Sequence, residues 1–176
     1  MLDYTKEELL SLIQSTPEKF NEWKKDRDDV DLSEVDFSNM IIKEVDFSDV
    51  DLNSSSFSDC NLSLVSFYGA DLTAVDFTRA VVTECDFSES ILTGADCSYA
   101  EMTYCNFTDC DMAGTVLSEA NLTSSDLSAA ENLSSARYDN DTVWPDDDML
   151  PEGFDMACRD DLSSLKDDED VSMEEY

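Results

Sequence analysis

The sequence predicts an all-β solenoid, and three observations predict it. An apolar residue stands at position 32 and at every fifth position up to 127, twenty units without an insertion. Two positions earlier, most units carry a small or β-branched residue, as at Val30, Val45, Ala70, Ala95 and Ala120. The residue between them is usually Asp or Asn, and the one after is usually Ser or Thr. On a helix, steps of five would carry the apolar line around the axis. On a straight strand, odd spacing would throw alternate units onto opposite faces. The pattern closes only if the chain bends once per unit, sending two side chains inward each time. A short fixed period of this kind is the mark of a solenoid whose repeats bury their apolar sides against one another.

Residues 1–29 come first and differ from the rest, with 8 acids and 5 bases. Thr5-Lys6-Glu7-Glu8 fits a capping box with Thr5 as N-cap and Glu8 reaching back. Leu9, Leu10, Leu12 and Ile13 then form an apolar helical stripe. Thr16-Pro17 reads as a second N-cap with Pro at the first helical position, and Phe20 and Trp23 supply that helix's apolar side. The expected role is a helical cap over the first coil, because an open coil end exposes unpaired strand edges. The alternative is an amphipathic hairpin that binds a partner.

Residues 30–131 are the repeats. Ala70-Asp71-Leu72-Thr73-Ala74 and Ala120-Asn121-Leu122-Thr123-Ser124 closely resemble the Ala-(Asp/Asn)-Leu-X-X consensus of the pentapeptide-repeat proteins. That resemblance implies a right-handed quadrilateral β-helix with four units per coil, so that residues twenty apart stack. The sequence is compatible with such stacking. Phe47, Phe67, Phe87 and Phe107 would form one internal column. Phe37, Phe57 and Phe77 would begin another that shrinks to Cys97 and Leu117. The Leu/Phe alternation equally fits a ten-residue period. Five coils at about 4.8 Å each give a rod roughly 24 Å long.

At Leu133 the register slips by one residue. Residues 132–157 are expected to close the last coil. Arg137 to Pro145, with Tyr138, Val143 and Trp144, and then Pro151 to Phe154 resemble the segment with which many pentapeptide-repeat proteins end. Asp146 to Leu150 reads as an insertion into it. Leu133, Tyr138, Val143, Trp144, Leu150 and Phe154 are the candidate dimerisation residues, since the resemblance to gyrase-binding members implies pairing there. Residues 158–176 are acidic and poor in apolar groups, and read as a flexible tail.

Charge narrows the function. The chain carries 43 Asp+Glu against 10 Lys+Arg, a net −33. Direct nucleic-acid binding is excluded in practice, since it needs clustered cations, and an anionic membrane surface is disfavoured. The sequence shows neither a secretory leader nor a span of transmembrane length, so the expected location is cytoplasmic (host cytoplasm if phage-encoded). Six cysteines occur without His and without a Cys-x-x-Cys pair, and five of them occupy inward positions. They read as buried small hydrophobes rather than a metal or disulfide framework. With no Gly-rich phosphate loop and no nucleophile–base pair in a recognisable context, neither an enzyme nor a cofactor is expected.

Within residues 30–130, 19 acids face only Lys43 and Arg79, a net −17. A DNA duplex of about 24 Å carries roughly 14 phosphates, so the rod would match the charge density of DNA. Sorted onto four sides, the charge concentrates on the fourth (Asp46, Asp49, Asp86, Glu89, Asp109, Asp126) and the adjoining first (Asp31, Glu34, Asp51, Asp71, Asp111), together −11. Asp31, Asp46, Asp49, Asp51, Asp71, Asp86, Glu89, Asp109, Asp111 and Asp126 are therefore the candidate partner-binding residues. They are expected to point outward and to be dispensable to the fold. The third side exposes Ile41, Leu64, Val81 and Tyr104 instead, unless the N-terminal helices cover them. The chain resembles the DNA-mimicking, gyrase-binding pentapeptide-repeat proteins in size, acidity and C-terminal segment. This implies an inhibitor that occupies the basic DNA-binding cleft of a DNA-processing enzyme, DNA gyrase or another topoisomerase first, a restriction, repair or defence nuclease second. Members that protect gyrase often carry loops between coils. The unbroken register here tilts towards inhibition. The alternative is a structural or scaffolding solenoid that binds proteins, with acidity serving solubility.

Overall fold

Residues twenty apart pair in parallel throughout the repeats, which settles four units per coil. In a computed structural model, which describes residues 4–156, Asp31 pairs with Asp51, Asp36 with Ser56, Ile41 with Asn61 and Asp46 with Ser66. The same step recurs level after level, so the chain is a right-handed β-helix of square section. The large inward residue of each unit is fully buried, and Leu, Phe and Ile fill most of the interior. Phe47, Phe67, Phe87 and Phe107 stack on one side with ring centroids 4.9–5.5 Å apart. Phe37, Phe57 and Phe77 stack opposite them at 4.6–5.2 Å, and rings of the two columns meet edge to face. Offset stacks and edge-to-face pairs are the arrangements the ring quadrupoles favour.

Only the third side forms regular strands: β1 (Ile41–Lys43), β2 (Asn61–Ser63), β3 (Val81–Thr83) and β4 (Glu101–Thr103), in the order β1-β2-β3-β4. The residue before the inward side chain accounts for part of this. Where it is Asp, its Oδ1 accepts the N–H two residues on and folds the chain into a turn. On the third side it is Ile41, Asn61, Val81 and Glu101, none of which makes that bond. At the fifth level Asn121 restores it, accepting from Thr123 N–H at 3.0 Å, and only a single bridge remains.

Every corner from Glu34 to Ser124 places one residue in the left-handed region, and glycine is rarely used there. Among the described residues seventeen other than glycine have positive φ, including Glu34, Leu64, Arg79 and Tyr104. Such residues persist only where the surroundings over-determine them. Here the N–H of the left-handed residue donates to the next coil, as Glu34 does to the Asn53 carbonyl at 2.9 Å.

At the small inward position a hydroxyl usually finds a backbone acceptor. Ser125 Oγ donates to the Met102 carbonyl and Thr115 Oγ1 to the Leu92 carbonyl, both at 2.8 Å. Ser55 Oγ is buried with no partner among the described residues. Ala fills the same position at Ala70 and Ala95. Ser55→Ala is therefore expected to stabilise the protein by about 1 kcal/mol, the cost of an unpaired buried hydroxyl. Thermal or chemical denaturation measures it, and a destabilised variant would contradict the assignment.

At the N-terminal end, α1 (Lys6–Ser15) and α2 (Pro17–Lys24) lie on the first coil. The capping box is present: Glu8 N–H donates to Thr5 Oγ1 at 3.2 Å, and Thr5 N–H to Glu8 Oε2 at 2.8 Å. Thr16 precedes Pro17 as expected, but its side chain makes no capping hydrogen bond. Leu9, Ile13 and Phe20 are buried, and Phe20 extends the fourth-side ring column, 5.7 Å from Phe47. The helices also engage open backbone groups of the first coil. Lys6 Nζ donates to the Ser33 carbonyl at 2.7 Å. Asn21 Nδ2 donates to the Glu44 carbonyl, and Asn21 Oδ1 accepts from Asp46 N–H.

The other end closes by a change of step. Glu131, Arg137 and Val143 pair with Asp111, Val116 and Asn121, and Leu127 N–H donates to the Met149 carbonyl at 2.8 Å. These positions are six apart, not five, so the final turn is wider than those below it. The extra residue per side makes room for Tyr138, Trp144 and Phe154, whose rings lie 5.0–6.0 Å apart. The segment from Asp146 to Leu150 is thus part of the fourth six-residue side. The acidic tail at 158–176 lies outside the described residues.

Candidate functional site

The coil register gathers the ten candidate acids into three columns on adjoining sides. Asp46, Asp86 and Asp126 alternate with Ser66 and Asn106 in one. Asp31, Asp51, Asp71 and Asp111 stand in another, interrupted by Ile91. Asp49, Glu89 and Asp109 occupy the corner between them, in left-handed conformation. Gly69 completes that corner column. A Cβ there would come within 2.6 Å of Asp49 Oδ1, so the glycine leaves room for the carboxylate.

The columns are less outward-facing than the sequence suggests. One oxygen of each Asp that precedes a large inward residue is engaged by its own backbone. Asp51, Asp71, Asp86 and Asp126 accept the N–H two residues on at 3.0 Å, and Asp111 does so at 3.1 Å. These carboxylates are therefore part of the turn as well as of the surface, which corrects the expectation that they are dispensable. Yet Asn106 accepts from Thr108 N–H, and Asn121 from Thr123 N–H, at the same 3.0 Å. The turn needs an oxygen acceptor. It does not need a charge.

Two of the ten acids meet cations of the N-terminal helices, a feature with no signal in the repeat pattern. Lys6 Nζ lies 2.7 Å from Asp31 Oδ1, and Lys24 Nζ lies 3.6 Å from Asp46 Oδ1. Lys24 is nearly buried, so its partner's charge is tied to the fold. The Lys6 ammonium, followed by the Ser33 side chain, holds the Asp31 carboxyl down at about 2. At Asp46 burial pushes upward, but hydrogen bonds from Ser48 and the Lys24 charge prevail and hold it below the usual range. The side chain of Asn132, reaching back from the closing coil, lowers Asp111. The remaining members of the columns make no ion pair among the described residues. On the second side, by contrast, Arg79 binds Asp59 through two hydrogen bonds of 2.7 and 2.8 Å.

The lowered Asp31 carboxyl fixes the sign of a pH effect. Its folded value lies below the unfolded one of about 3.9, so its contribution is present above that value and lost as pH falls through about 2. Asp31→Asn should therefore lower the melting temperature by a constant small amount above about pH 4. The difference should vanish towards the bottom of that window, and melting curves across it test this.

Of the candidate dimerisation residues, Leu133 and Tyr138 are buried inside the closing coil. Trp144, Leu150 and Phe154 are partly buried against it, and Val143 is 49% exposed. The five cysteines among the described residues are all buried and free. Burial pushes the Cys60 thiol up to about 11 and Cys110 up to about 12, so neither is a ready nucleophile. Among the described residues no group of His, Cys, Asp or Glu is arranged to hold a metal ion, and no helix is long and apolar enough to cross a membrane.

Comparison with known proteins agrees with this architecture. A profile described as the pentapeptide repeat region matches residues 28–96, and one for pentapeptide repeats matches residues 100–137, together more than half of the chain. No curated protein matches. Among solved structures, a pentapeptide repeat protein from Nostoc PCC 7120 is 30% identical, with 61% of this chain and 78% of that one covered and a TM-score of 0.36. A pentapeptide repeat protein of the Arabidopsis thaliana thylakoid lumen is 28% identical, with 69% and 72% covered and a TM-score of 0.26. QnrB1, a plasmid-mediated fluoroquinolone resistance protein, is 15% identical, with 76% and 75% covered and a TM-score of 0.40. At such scores the superpositions carry no argument about function.

Proposed function

Because the chain belongs to the pentapeptide-repeat family, whose solenoid fixes surface charge on a rigid rod, we propose that it is a non-catalytic DNA mimic. In this proposal the fourth and first sides enter the basic DNA-binding cleft of a DNA-processing enzyme. The observation that carries it is the choice of Asp where Asn serves the fold equally well. Ten units place Asp at the turn-forming position, each adding a charge that opposes compaction, while Asn106 and Asn121 make the same hydrogen bond without it. DNA gyrase is the first candidate target, on the resemblance noted in the sequence, and a restriction, repair or defence nuclease the second. Lys6 and Lys24 pair with Asp31 and Asp46, so of the candidate acids in the first coil only Asp49 makes no ion pair among the described residues.

The test is inhibition of gyrase supercoiling, and of representative restriction nucleases, with increasing competitor duplex and salt. Opposed charge fields make association fast and salt-sensitive. Competitor DNA should relieve the inhibition, and so should added salt. Inhibition indifferent to both would reject mimicry. If no DNA enzyme is inhibited, the scaffold alternative stands, in which the turn hydrogen bonds are the whole purpose of the Asp columns. A homodimer through the closing coil belongs to the same proposal. With Leu133 and Tyr138 committed to the interior, the outer surfaces of Val143, Trp144, Leu150 and Phe154 would form it. Sedimentation should show a dimer at about 10 μM, a concentration that an interface of modest affinity saturates. A monomer at that concentration would remove this part.

A further inference from the structure

The third side carries a second surface, unlike the acidic one and independent of it. Leu64, Glu84 and Tyr104 occupy successive levels of a single column, each in left-handed conformation. Leu64 is 48% exposed and Tyr104 is 62% exposed. A bulky apolar residue at positive φ is an outlier for the backbone, and here it is also held in water. Ile41, at 77% exposure, and the half-buried Val81 flank the column on alternate levels of the sheet. The cap helices do not reach this face beyond the first level, where Asn21 meets the Glu44 carbonyl. Lys43 pairs with Glu44 at 3.2 Å. Glu84 and Glu101 make no ion pair among the described residues.

We propose that this side is a docking site for one amphipathic helix of a partner protein, lying along the rod axis and presenting apolar, basic and apolar residues in turn. The spacing argues for a helix. Levels are about 4.8 Å apart, so Leu64 and Tyr104 stand roughly 9.6 Å apart with Glu84 midway. On an α-helix, residues seven apart on one face are about 10.5 Å apart, with the fourth residue roughly midway between them. The two rises nearly coincide. Apolar residues at i and i+7 can therefore meet Leu64 and Tyr104 while a Lys or Arg at i+3 or i+4 meets Glu84. Charge complementarity selects a basic helix over an acidic one, since Glu84 and Glu101 lie beside the apolar contacts.

The probe is a fluorescein-labelled, amidated Ala/Gln peptide carrying Leu at i and i+7 and Lys at i+4, followed by fluorescence anisotropy. The protein variant is Leu64→Asn with Tyr104→Asn. Asn tolerates the left-handed region, so the fold should hold, and an unchanged or raised melting temperature checks that. Saturable binding to the wild-type protein is expected. The double variant should weaken it about tenfold, through loss of two apolar contacts. Glu84→Gln should weaken it less and flatten its salt dependence. Converting Asp51, Asp71, Asp86, Asp111 and Asp126 to Asn should leave it within about twofold once salt screens distant charge, which keeps this outcome distinct from the fate of DNA mimicry. The proposal is overturned if no saturable binding occurs below about 1 mM. It is equally overturned if a peptide with Gln for both Leu residues binds as tightly, or if the double variant binds like wild type.

Discussion

Conversion of Asp51, Asp71, Asp86, Asp111 and Asp126 together to Asn is expected to weaken inhibition of the target enzyme by about two orders of magnitude while leaving the fold intact. Exposed ion pairs contribute about 0.2–1 kcal/mol each, so five contribute roughly 3 kcal/mol, or about a hundredfold. The fold should hold because Asn supplies the oxygen that the turn N–H requires, as Asn106 and Asn121 already do. Relief of self-repulsion should leave the melting temperature unchanged or raise it. Reversal to Lys is the poorer experiment, because an ammonium has no acceptor for the turn N–H. Asp31 and Asp46 are left alone because Lys6 and Lys24 already neutralise them, and removing Asp46 would strand a nearly buried cation. The control is Glu44, Glu84 and Glu101 to Gln on the third side, which should change inhibition far less. Equal effects of the two sets would show that only bulk charge matters. No effect of either would sink the mimic.

Phe67→Ala is expected to be the most destabilising single truncation, by about 4–5 kcal/mol, at the upper end for a buried Phe. Phe67 touches four other rings, Phe47 and Phe87 by stacking and Phe57 and Phe77 edge to face, at 4.9–5.9 Å. No adjustment of one neighbour can fill the void, because each is held by further rings. At about 2–4 °C per kcal/mol for a chain of this size, the melting temperature should fall by roughly 10–20 °C. Because each coil touches only its neighbours, weakening the contact between the second and third should also cost cooperativity. Calorimetry should show a broadened or divided transition. Leu127→Ala, in the last regular coil, should cost less and leave one transition. An effect of Phe67→Ala below about 1 kcal/mol would contradict the packing described here.

What the sequence made legible followed from its period. The inward residues follow from counting, the four-unit coil and with it the sorting of the acids onto sides from the family resemblance, and the capping box at Thr5–Glu8 from its residue types. Two of the misses share one cause: they depend on contacts between segments that obey different periods. Nothing in the repeat announces that Lys6 and Lys24 will reach Asp31 and Asp46, since those lysines belong to helices whose placement the five-residue step does not govern. In the sequence the closing turn reads as a slip plus an insertion because its step of six, through Glu131, Arg137, Val143 and Met149, carries no repeated residue type. Only pairing with the level below reveals it. The double duty of the Asp columns was hidden for a different reason. An Asp in a turn and an Asp facing a partner are spelled alike, and only Asn106 and Asn121 separate the two roles.

The twenty-residue stacking also sets a rule for how the chain can change length. Removing residues 71–90 would delete one storey and lower everything above it straight down. Every side would keep its identity, and the closing turn would still meet a surface of the right shape. Removing only 71–75 would rotate the upper storeys by a quarter turn relative to the lower ones. Phe87 would then sit above Leu62 rather than Phe67, and the Asp86 column would swing round to continue the third side. Lengthening by whole storeys is thus silent with respect to what each side displays, whereas a single unit gained or lost redraws the surface of the entire upper rod.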